Sequence, residues 1–464
     1  MTGFKRFALY AGPMTGISLG LWLSGLNYSD DMSITAGLTL WVAIWWIFEP
    51  VPIPVSSLLP LALLPALGVL PQKAVSEAYG HKLILLLLGG FLLSTAMAKS
   101  GAHRRLALNM VNLFGASHPK RVLWGFMAAT ALLSMWISNT ATTLMMLPIA
   151  MAVIESSKDE RRLAPLLLLG IAYAASIGGM GTPIGTPPNL AFMQQYSQIN
   201  GSEPSFTLWM SWALPVMIPM LIVAAWWLGR RISVSGQLSL PEVGQWQTIE
   251  KRVLAVFALT ALAWITRKEP FGGWSELLGL SQANDAHVAL LAVVLMFVIP
   301  DGNRIDGRQG RLLDWETANQ IPWGILLLYG GGLTIAAAFQ SSGLSAVLAE
   351  GLAPLSAFPI IIMIAGVCLL VTFLTEMTSN TATTLLMLPV LAATAISIYI
   401  DPLLLMLPAT LTASCAFMLP VATAPNVIVF GTGHLSVSQM VRTGFVLNLS
   451  GVALVSVITW LLFA

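Results

Sequence analysis

One peptide occurs twice in this chain. The segments Ser138–Pro148 (SNTATTLMMLP) and Ser379–Pro389 (SNTATTLLMLP) agree at ten of eleven positions and lie 241 residues apart. The pairs Gly89-Gly90 and Gly331-Gly332 repeat at nearly the same separation. Chance does not produce such a match, so we predict that the chain consists of two related halves.

The chain is too apolar for a soluble protein. Hydrophobic residues make up 56% of its 464 residues and charged residues only 9%, whereas soluble proteins carry about 25% charged residues. A membrane-spanning helix needs about 20 apolar residues, and such runs recur here. We therefore predict an all-α membrane protein. Nucleic acid is not an expected partner, because the basic residues stand in short clusters between the apolar runs.

The apolar runs predict eleven transmembrane helices. Their expected positions are 7–27, 33–49, 53–70, 82–99, 163–180, 207–228, 253–266, 287–300, 322–340, 402–420 and 444–463. Two further apolar regions, 121–157 and 355–397, each contain one copy of SNTATT.

The basic residues predict the orientation, because short cytoplasmic loops collect lysine and arginine. Lys5 and Arg6 place the N-terminus in the cytoplasm, and eleven crossings then place the C-terminus outside. The expected cytoplasmic loops are 100–121, 158–162 (which includes Lys158), 229–252, 301–321 and 433–443, and each holds basic residues. Three basic residues, Lys73, Arg267 and Lys268, fall on the outer side instead.

The two copies of the peptide are expected to enter the membrane from opposite sides. Basic loops flank the first copy, whereas residues 312–441 around the second contain no lysine or arginine. This pattern indicates an inverted repeat, in which binding sites lie near the membrane centre between the two halves. Each copy is followed by a helix and then by a proline-containing break, at 182–189 and at 420–426.

Each SNTATT divides its apolar region into two arms of about 25 Å. Charge does not distinguish a full two-helix crossing from a re-entrant hairpin, but we favour re-entry because the tip lacks typical surface residues. Serine, threonine and asparagine are good N-cap residues, so an arm beginning at Thr140 or Thr381 directs its positive end at the membrane centre. Such an end binds anions, while side-chain and freed backbone oxygens suit sodium.

The two motifs and their breaks resemble those of the divalent anion/sodium symporter family, which carries dicarboxylates, tricarboxylates or sulfate. The resemblance covers nearly the whole chain, and Glu49–Pro54 (EPVPIP) also resembles an early element of that family. It implies eleven spans, two opposed re-entrant hairpins, a homodimer and an elevator mechanism, in which a transport domain slides against a scaffold. Sodium ions are the implied coupling ions.

The resemblance also implies the ligands. The expected substrate-binding residues are Ser138, Asn139, Thr140, Ser379, Asn380, Thr381, Thr423 and Pro187. The expected residues of the two sodium sites are Ser134, Ser138, Asn139 and Gly185 for one and Thr375, Thr378, Asn380 and Ala422 for the other. The implied domains are 1–81 and 207–321 (mostly scaffold), 82–206 with hairpin 121–157 and 322–436 with hairpin 355–397 (transport halves), and 437–464 (a scaffold helix).

Several other residues carry open expectations. Glu49 stands beside three prolines and is expected to be structural, whereas Glu376 is expected either to shape the cation site or to join a polar network. The segment 103–114 is expected to form an amphipathic helix on the inner membrane surface. Cys368 and Cys415 are expected to be packing residues, since their spacing fits no metal site.

The predicted function is sodium-coupled symport of a C4 dicarboxylate such as succinate, malate or fumarate across the plasma (inner) membrane. Sodium-independent dicarboxylate exchange and sulfate transport on the same fold remain alternatives. An anion channel is disfavoured, because opposed tips close a site. An enzyme is not expected, because we find no nucleophile–base pair and no paired acids.

Overall fold

The computed structural model describes residues 3–115, 118–157, 159–232, 238, 240–268, 273–305, 308–352 and 357–464. Lys158 and the first two residues of the region 355–397 lie outside these ranges. The described chain is helical apart from one antiparallel pair of strands, β1 (Pro300–Ile305) and β2 (Arg308–Arg311), in the loop expected at 301–321.

The helices of the first half, with the two that follow it, are α1 Gly3–Gly25, α2 Asp30–Phe48, α3 Ile53–Ser56, α4 Leu58–Ala66, α5 Gln72–Tyr79, α6 Lys82–Ser100, α7 Ala102–Phe114, α8 Pro119–Ser134, α9 Asn139–Glu155, α10 Glu160–Gly179, α11 Pro187–Asn200, α12 Phe206–Gly229 and α13 Thr248–Ile265. The remaining helices are α14 Gly273–Leu277, α15 Asp285–Val298, α16 Trp315–Ala318, α17 Trp323–Ser341, α18 Leu344–Leu352, α19 Ile360–Thr375, α20 Asn380–Ser397, α21 Leu403–Thr412, α22 Ala424–Phe430 and α23 Val437–Phe463.

Seven helical segments of the described chain are long and apolar enough to cross a membrane, judged by length and composition. They are Asp30–Phe48, Gln72–Ser100, Glu160–Gly179, Phe206–Gly229, Trp323–Ser341, Asn380–Ser397 and Val437–Phe463. Shorter apolar helices make up much of the rest, so a helical membrane protein is confirmed and the count of eleven spans stays a prediction.

Two of the expected spans differ from the structure. The expected span 53–70 is divided at Ser57 into α3 and α4 and ends at Ala66. Prolines 52, 54, 60 and 65 lack the backbone N–H that a continuous helix needs. The expected span 402–420 ends as a helix at Thr412, because residues 413–423 form an irregular segment. The break in the second half is therefore longer than the sequence indicated.

The related halves interlock. Helix α9, which follows the first motif, contacts α22, which follows the second break. Helix α20, which follows the second motif, contacts α11, which follows the first break. Helix α10 is buried along most of its length and also contacts α22. The helix that follows each motif thus packs against the opposite half of the chain, and the inverted repeat stays a prediction.

The structure has a helix, α7, at the expected position 103–114. One of its charged side chains is buried against another part of the chain. Arg105 is buried and donates from Nε to Glu250 Oε2 at 3.0 Å. Its Nη1 and Nη2 donate to the carbonyl oxygens of Gly244 and Gln245, and the guanidinium lies over the Trp246 ring. This arginine therefore anchors α7 to the segment that leads into α13.

Candidate functional site

The first motif forms the turn between α8 and α9. Helix α9 begins at Asn139, one residue before the expected start, and Ser138 Oγ caps it by accepting from Ala141 N at 3.3 Å. Ser134 Oγ, at the end of α8, lies 2.7 Å from both Asn139 Oδ1 and the Ala175 carbonyl oxygen. A hydroxyl carries one proton, so this group of three oxygens has more acceptor capacity than donors.

The second motif has the same geometry. Helix α20 begins at Asn380, and Ser379 Oγ caps it by accepting from Ala382 N at 3.4 Å. Thr375 Oγ1 lies 2.6 Å from Asn380 Oδ1 and 3.0 Å from the carbonyl oxygen of Ala413. We call these two groups, Ser134–Asn139–Ala175 and Thr375–Asn380–Ala413, the oxygen triads. Sodium in broken-helix transporters is bound by oxygens of this kind.

The end of α10 packs directly against the first triad, and the first break packs against the end of α10. A Cβ atom built on Gly179 would lie 2.5 Å from Asn139 Oδ1. A Cβ atom on Gly185 would lie 2.4 Å from the Gly179 carbonyl oxygen. Glycine at both positions therefore permits the break to approach Asn139, and the expected sodium ligands Ser134, Asn139 and Gly185 are brought together.

The second break is fixed by a buried carboxylate. Glu376 Oε1 accepts from Met418 N at 2.8 Å and from Asn448 Nδ2 at 2.7 Å, and Oε2 accepts from Leu419 N at 2.9 Å. Glu376 is 3% exposed, and no basic side chain forms an ion pair with it within the described ranges. Of the two expected roles, the contacts favour the polar network, here one that supports the break. The first half has Met135 at this position.

The other expected substrate ligands differ in their hydrogen-bond partners and in their exposure. Thr423 Oγ1 caps α22 by accepting from Asn426 N at 3.2 Å. The carbonyl oxygen of Pro187 accepts from the hydroxyl of Tyr329. Thr140 is exposed, whereas Thr381 is buried.

Thr378 contributes a hydroxyl that is already bonded. Its Oγ1 lies 2.6 Å from Thr383 Oγ1 and donates to the Leu374 carbonyl oxygen at 2.8 Å. Ile137 occupies the corresponding position in the first half, so the tips differ there.

A cavity of about 250 Å³ lies beside the second motif. Its lining residues are Lys5, Ile47, Phe48, Glu49, Met377, Thr378, Ser379, Val421 and Ala422. Lys5 and Glu49 are distant from the motif along the chain, and no local pattern indicates their proximity. Glu49 ends α2 in a left-handed conformation with φ of 45°. Glu49 lines the same cavity as Ser379, and its expected structural role stays a prediction.

The chain matches the family described as the sodium:sulfate symporter transmembrane region over residues 26–463. It is 39% identical over 476 residues to the sodium-dependent dicarboxylate transporter SdcS of Staphylococcus saprophyticus, which covers 98% of this chain and 90% of that protein. Identity to SdcS of Staphylococcus aureus is also 39%, over 486 residues, with 98% of this chain and 92% of that protein covered.

Two solved transporter structures share the fold at low sequence identity. The YdaH transporter of Alcanivorax borkumensis superposes with a TM-score of 0.56 at 13% identity, covering 86% of this chain and 89% of that one. MtrF of Neisseria gonorrhoeae superposes with a TM-score of 0.57 at 14% identity, covering 85% and 84%. These matches concern the fold alone. The family match and the full-length relatives confirm the resemblance drawn from the repeated motifs: the chain belongs to the sodium:sulfate symporter family.

Proposed function

We propose that this chain is a secondary active transporter that couples the entry of sodium to the entry of a C4 dicarboxylate. The observation that carries the proposal is the pair of oxygen triads, one at the start of α9 and one at the start of α20. The relatives named as sodium-dependent dicarboxylate transporters support the same ion and substrate class.

The sodium sites use the triads together with the adjacent backbone. Ser134, Ser138, Asn139 and Gly185 form the first site; Thr375, Thr378, Asn380 and Ala422 form the second. In each site a single hydroxyl proton, of Ser134 or Thr375, is shared between a side-chain amide oxygen and a backbone carbonyl oxygen. A cation that binds there therefore finds several acceptor oxygens and breaks few hydrogen bonds. Hard cations prefer such oxygen ligands.

The substrate carboxylates bind at the helix starts. The first backbone N–H groups of α9 and α20 have no partner within their own helices. The N-terminal end of each helix also carries a partial positive charge. Ser138, Asn139, Thr140, Ser379, Asn380 and Thr381 supply the contacts at the two tips, and Thr423 and Pro187 complete the pocket. A bound sodium ion beside each tip adds positive charge, which links the affinities for cation and anion.

The proposal includes the architecture implied by the family resemblance. The regions 121–157 and 355–397 act as opposed re-entrant hairpins within an arrangement of eleven spans. The transport halves 82–206 and 322–436 slide against a scaffold formed by 1–81, 207–321 and 437–464, in a homodimer embedded in the plasma membrane with cytoplasmic N-termini. The interlocked contacts of α9 with α22 and of α20 with α11 support a common moving unit for the two tips.

Uptake of labelled succinate into proteoliposomes tests the function. We expect uptake driven by an inward sodium gradient and none when choline replaces sodium. Asn139→Ala and Asn380→Ala should each abolish uptake, whereas Asn112→Ala, at an exposed position on α7, should retain it. Normal sodium-driven uptake by both tip variants is the result that would refute the assignment of the site. A competition series with malate, fumarate, citrate and sulfate defines the substrate.

One observation favours a second candidate, sodium-independent dicarboxylate exchange. Lys5 lines the cavity beside Ser379, so a protein cation stands near the site and could balance the substrate charge in place of sodium. Uptake that ignores external sodium but requires internal dicarboxylate would favour this candidate.

A further inference from the structure

Two asparagines outside the SNTATT motifs occupy corresponding positions in the two breaks. Asn189 lies in the first turn of α11 and Asn426 in the first turn of α22. Both side chains are fully buried. They lie 237 residues apart, as do Thr182 and Leu419 of the two breaks, so the breaks can be compared residue by residue.

Each asparagine bonds to the backbone of the break that precedes it. Asn189 Nδ2 donates to the carbonyl oxygens of Thr182 at 2.7 Å and Gly179 at 2.9 Å. Asn426 Nδ2 donates to the carbonyl oxygens of Leu419 at 3.0 Å and Ala416 at 3.2 Å. Oδ1 of both residues is buried without a partner among the described residues, so the side chain holds the break through its amide nitrogen.

Two of the carbonyls bonded by the asparagines also bond to the backbone of proposed sodium ligands. The Thr182 carbonyl also accepts from Gly185 N at 3.3 Å, and the Leu419 carbonyl also accepts from Ala422 N at 3.2 Å. In each half, one carbonyl oxygen thus accepts from both the asparagine side chain and the backbone N–H of Gly185 or Ala422, the residue proposed to bind sodium through its backbone.

The first half has a further link to its triad. The Gly179 carbonyl held by Asn189 packs against Gly185, and Gly179 itself packs against Asn139. A shift of this carbonyl would therefore disturb two sides of the first cation site.

We propose that Asn189 and Asn426 are positioning residues, each of which holds the backbone of one sodium site, and this inference rests on the proposed sodium-coupled function. Neither side chain needs to touch the ion. Each holds a turn of buried backbone by donating to two of its carbonyl oxygens, and the loss of buried hydrogen bonds carries a free-energy cost. Partners that orient the ligands of a metal ion set its affinity although they do not bind it.

The test measures sodium binding apart from transport. Melting temperature is recorded for the purified full-length protein over a sodium series balanced with choline, without substrate, since a bound ion stabilises the folded state by an amount that grows with the ratio of its concentration to its Kd. Asn189→Ala and Asn426→Ala should each raise by about 10-fold the sodium concentration that gives a fixed increase in melting temperature. The sodium concentration for half-maximal succinate uptake should rise by a similar factor. The KM for succinate at saturating sodium should change less than about twofold, because the sites are then filled.

Matched variants separate positioning from packing. Asn189→Leu and Asn426→Leu keep a similar side-chain volume without the donor and should be as impaired as the alanine variants; recovery of sodium affinity by leucine would overturn the proposal. Leu190→Ala and Val429→Ala remove buried side chains from the same two helices and should leave the sodium dependence unchanged. If both variants at one asparagine fail to fold, that asparagine is structural and the proposal fails there.

Double variants test the assignment of one asparagine to each site. The effect of Asn189→Ala should be non-additive with Ser134→Ala and additive with Thr375→Ala, because coupling is expected only between residues of one network. The reverse pattern should hold for Asn426→Ala. Wild-type protein that responds to sodium in neither assay would overturn the proposed function. A sodium-responsive wild type with unshifted asparagine variants would overturn this inference alone.

Discussion

The substitution Glu376→Gln tests how the second break is supported. The carboxylate accepts three hydrogen bonds, from Met418 N, Leu419 N and Asn448 Nδ2, at 2.7 to 2.9 Å. A glutamine has one acceptor oxygen in place of two, and its NH₂ group must face a donor that it cannot satisfy. The variant therefore keeps the size of the side chain but can no longer accept all three hydrogen bonds.

The expected loss of stability follows from these contacts. A hydrogen bond to a charged group contributes about 1.5–3 kcal/mol, and a neutral one about 0.5–1.5 kcal/mol. At least one charged bond is lost and the others become neutral, whereas the amide avoids part of the desolvation cost of a buried carboxylate. The free energy lost with the hydrogen bonds should exceed the desolvation cost that is avoided, which leaves a net destabilisation of about 2 kcal/mol.

Thermal unfolding of the purified protein measures this effect. For a chain of this length a loss of about 2 kcal/mol lowers the melting temperature by about 2 °C. The half-saturating sodium concentration should rise as well, since Ala422 belongs to the same break. Glu316→Gln, at an exposed position, is the matched control and should change neither quantity. A Glu376→Gln protein with the melting temperature and sodium response of the wild type would show that the carboxylate does not support the break.

Two further substitutions test close contacts. Gly179→Ala should abolish sodium-driven uptake, because its Cβ would lie 2.5 Å from Asn139 Oδ1, whereas Gly366→Ala, with no atom within 4 Å, should retain uptake. Arg105→Ala should lower the free energy of unfolding by about 3–5 kcal/mol, because it leaves the Glu250 carboxylate buried and unpaired. The Arg105→Ala/Glu250→Ala double variant should lose less than the sum of the single losses, and additive losses in melting experiments would contradict this coupling.

The repeated peptide predicted the two tips well because capping is a local property. A serine just before a helix can accept from one of the first backbone N–H groups through its own side chain, and Ser138 and Ser379 do cap α9 and α20 in this way. The start was misplaced by one residue, since serine rather than asparagine is the cap. Proline and threonine likewise indicated that a break follows each motif.

Contacts between distant segments were beyond such reasoning. Lys5 and Glu49 meet Ser379 at one cavity because helices pack in three dimensions, and no periodicity in the sequence records that packing. The sequence suggested two roles for Glu376, and only the backbone of residues 418 and 419 distinguishes them. A buried acidic residue in an apolar segment indicates that a partner exists, but it does not identify the partner.

The offset between the halves explains why the asparagines of the breaks were not recognised. The motifs repeat at 241 residues and the breaks at 237, so four residues are missing between motif and break in the second half. Four residues make about one turn of α-helix, and losing one turn shortens a helix while keeping the same face towards its neighbours. Helix α21 has ten residues and α10 has twenty, and the irregular segment 413–423 after α21 is longer than the segment 180–186 after α10. Asn189 and Asn426 therefore make matching contacts although the register of the repeat changes, because each donates from Nδ2 to two carbonyl oxygens of the preceding backbone.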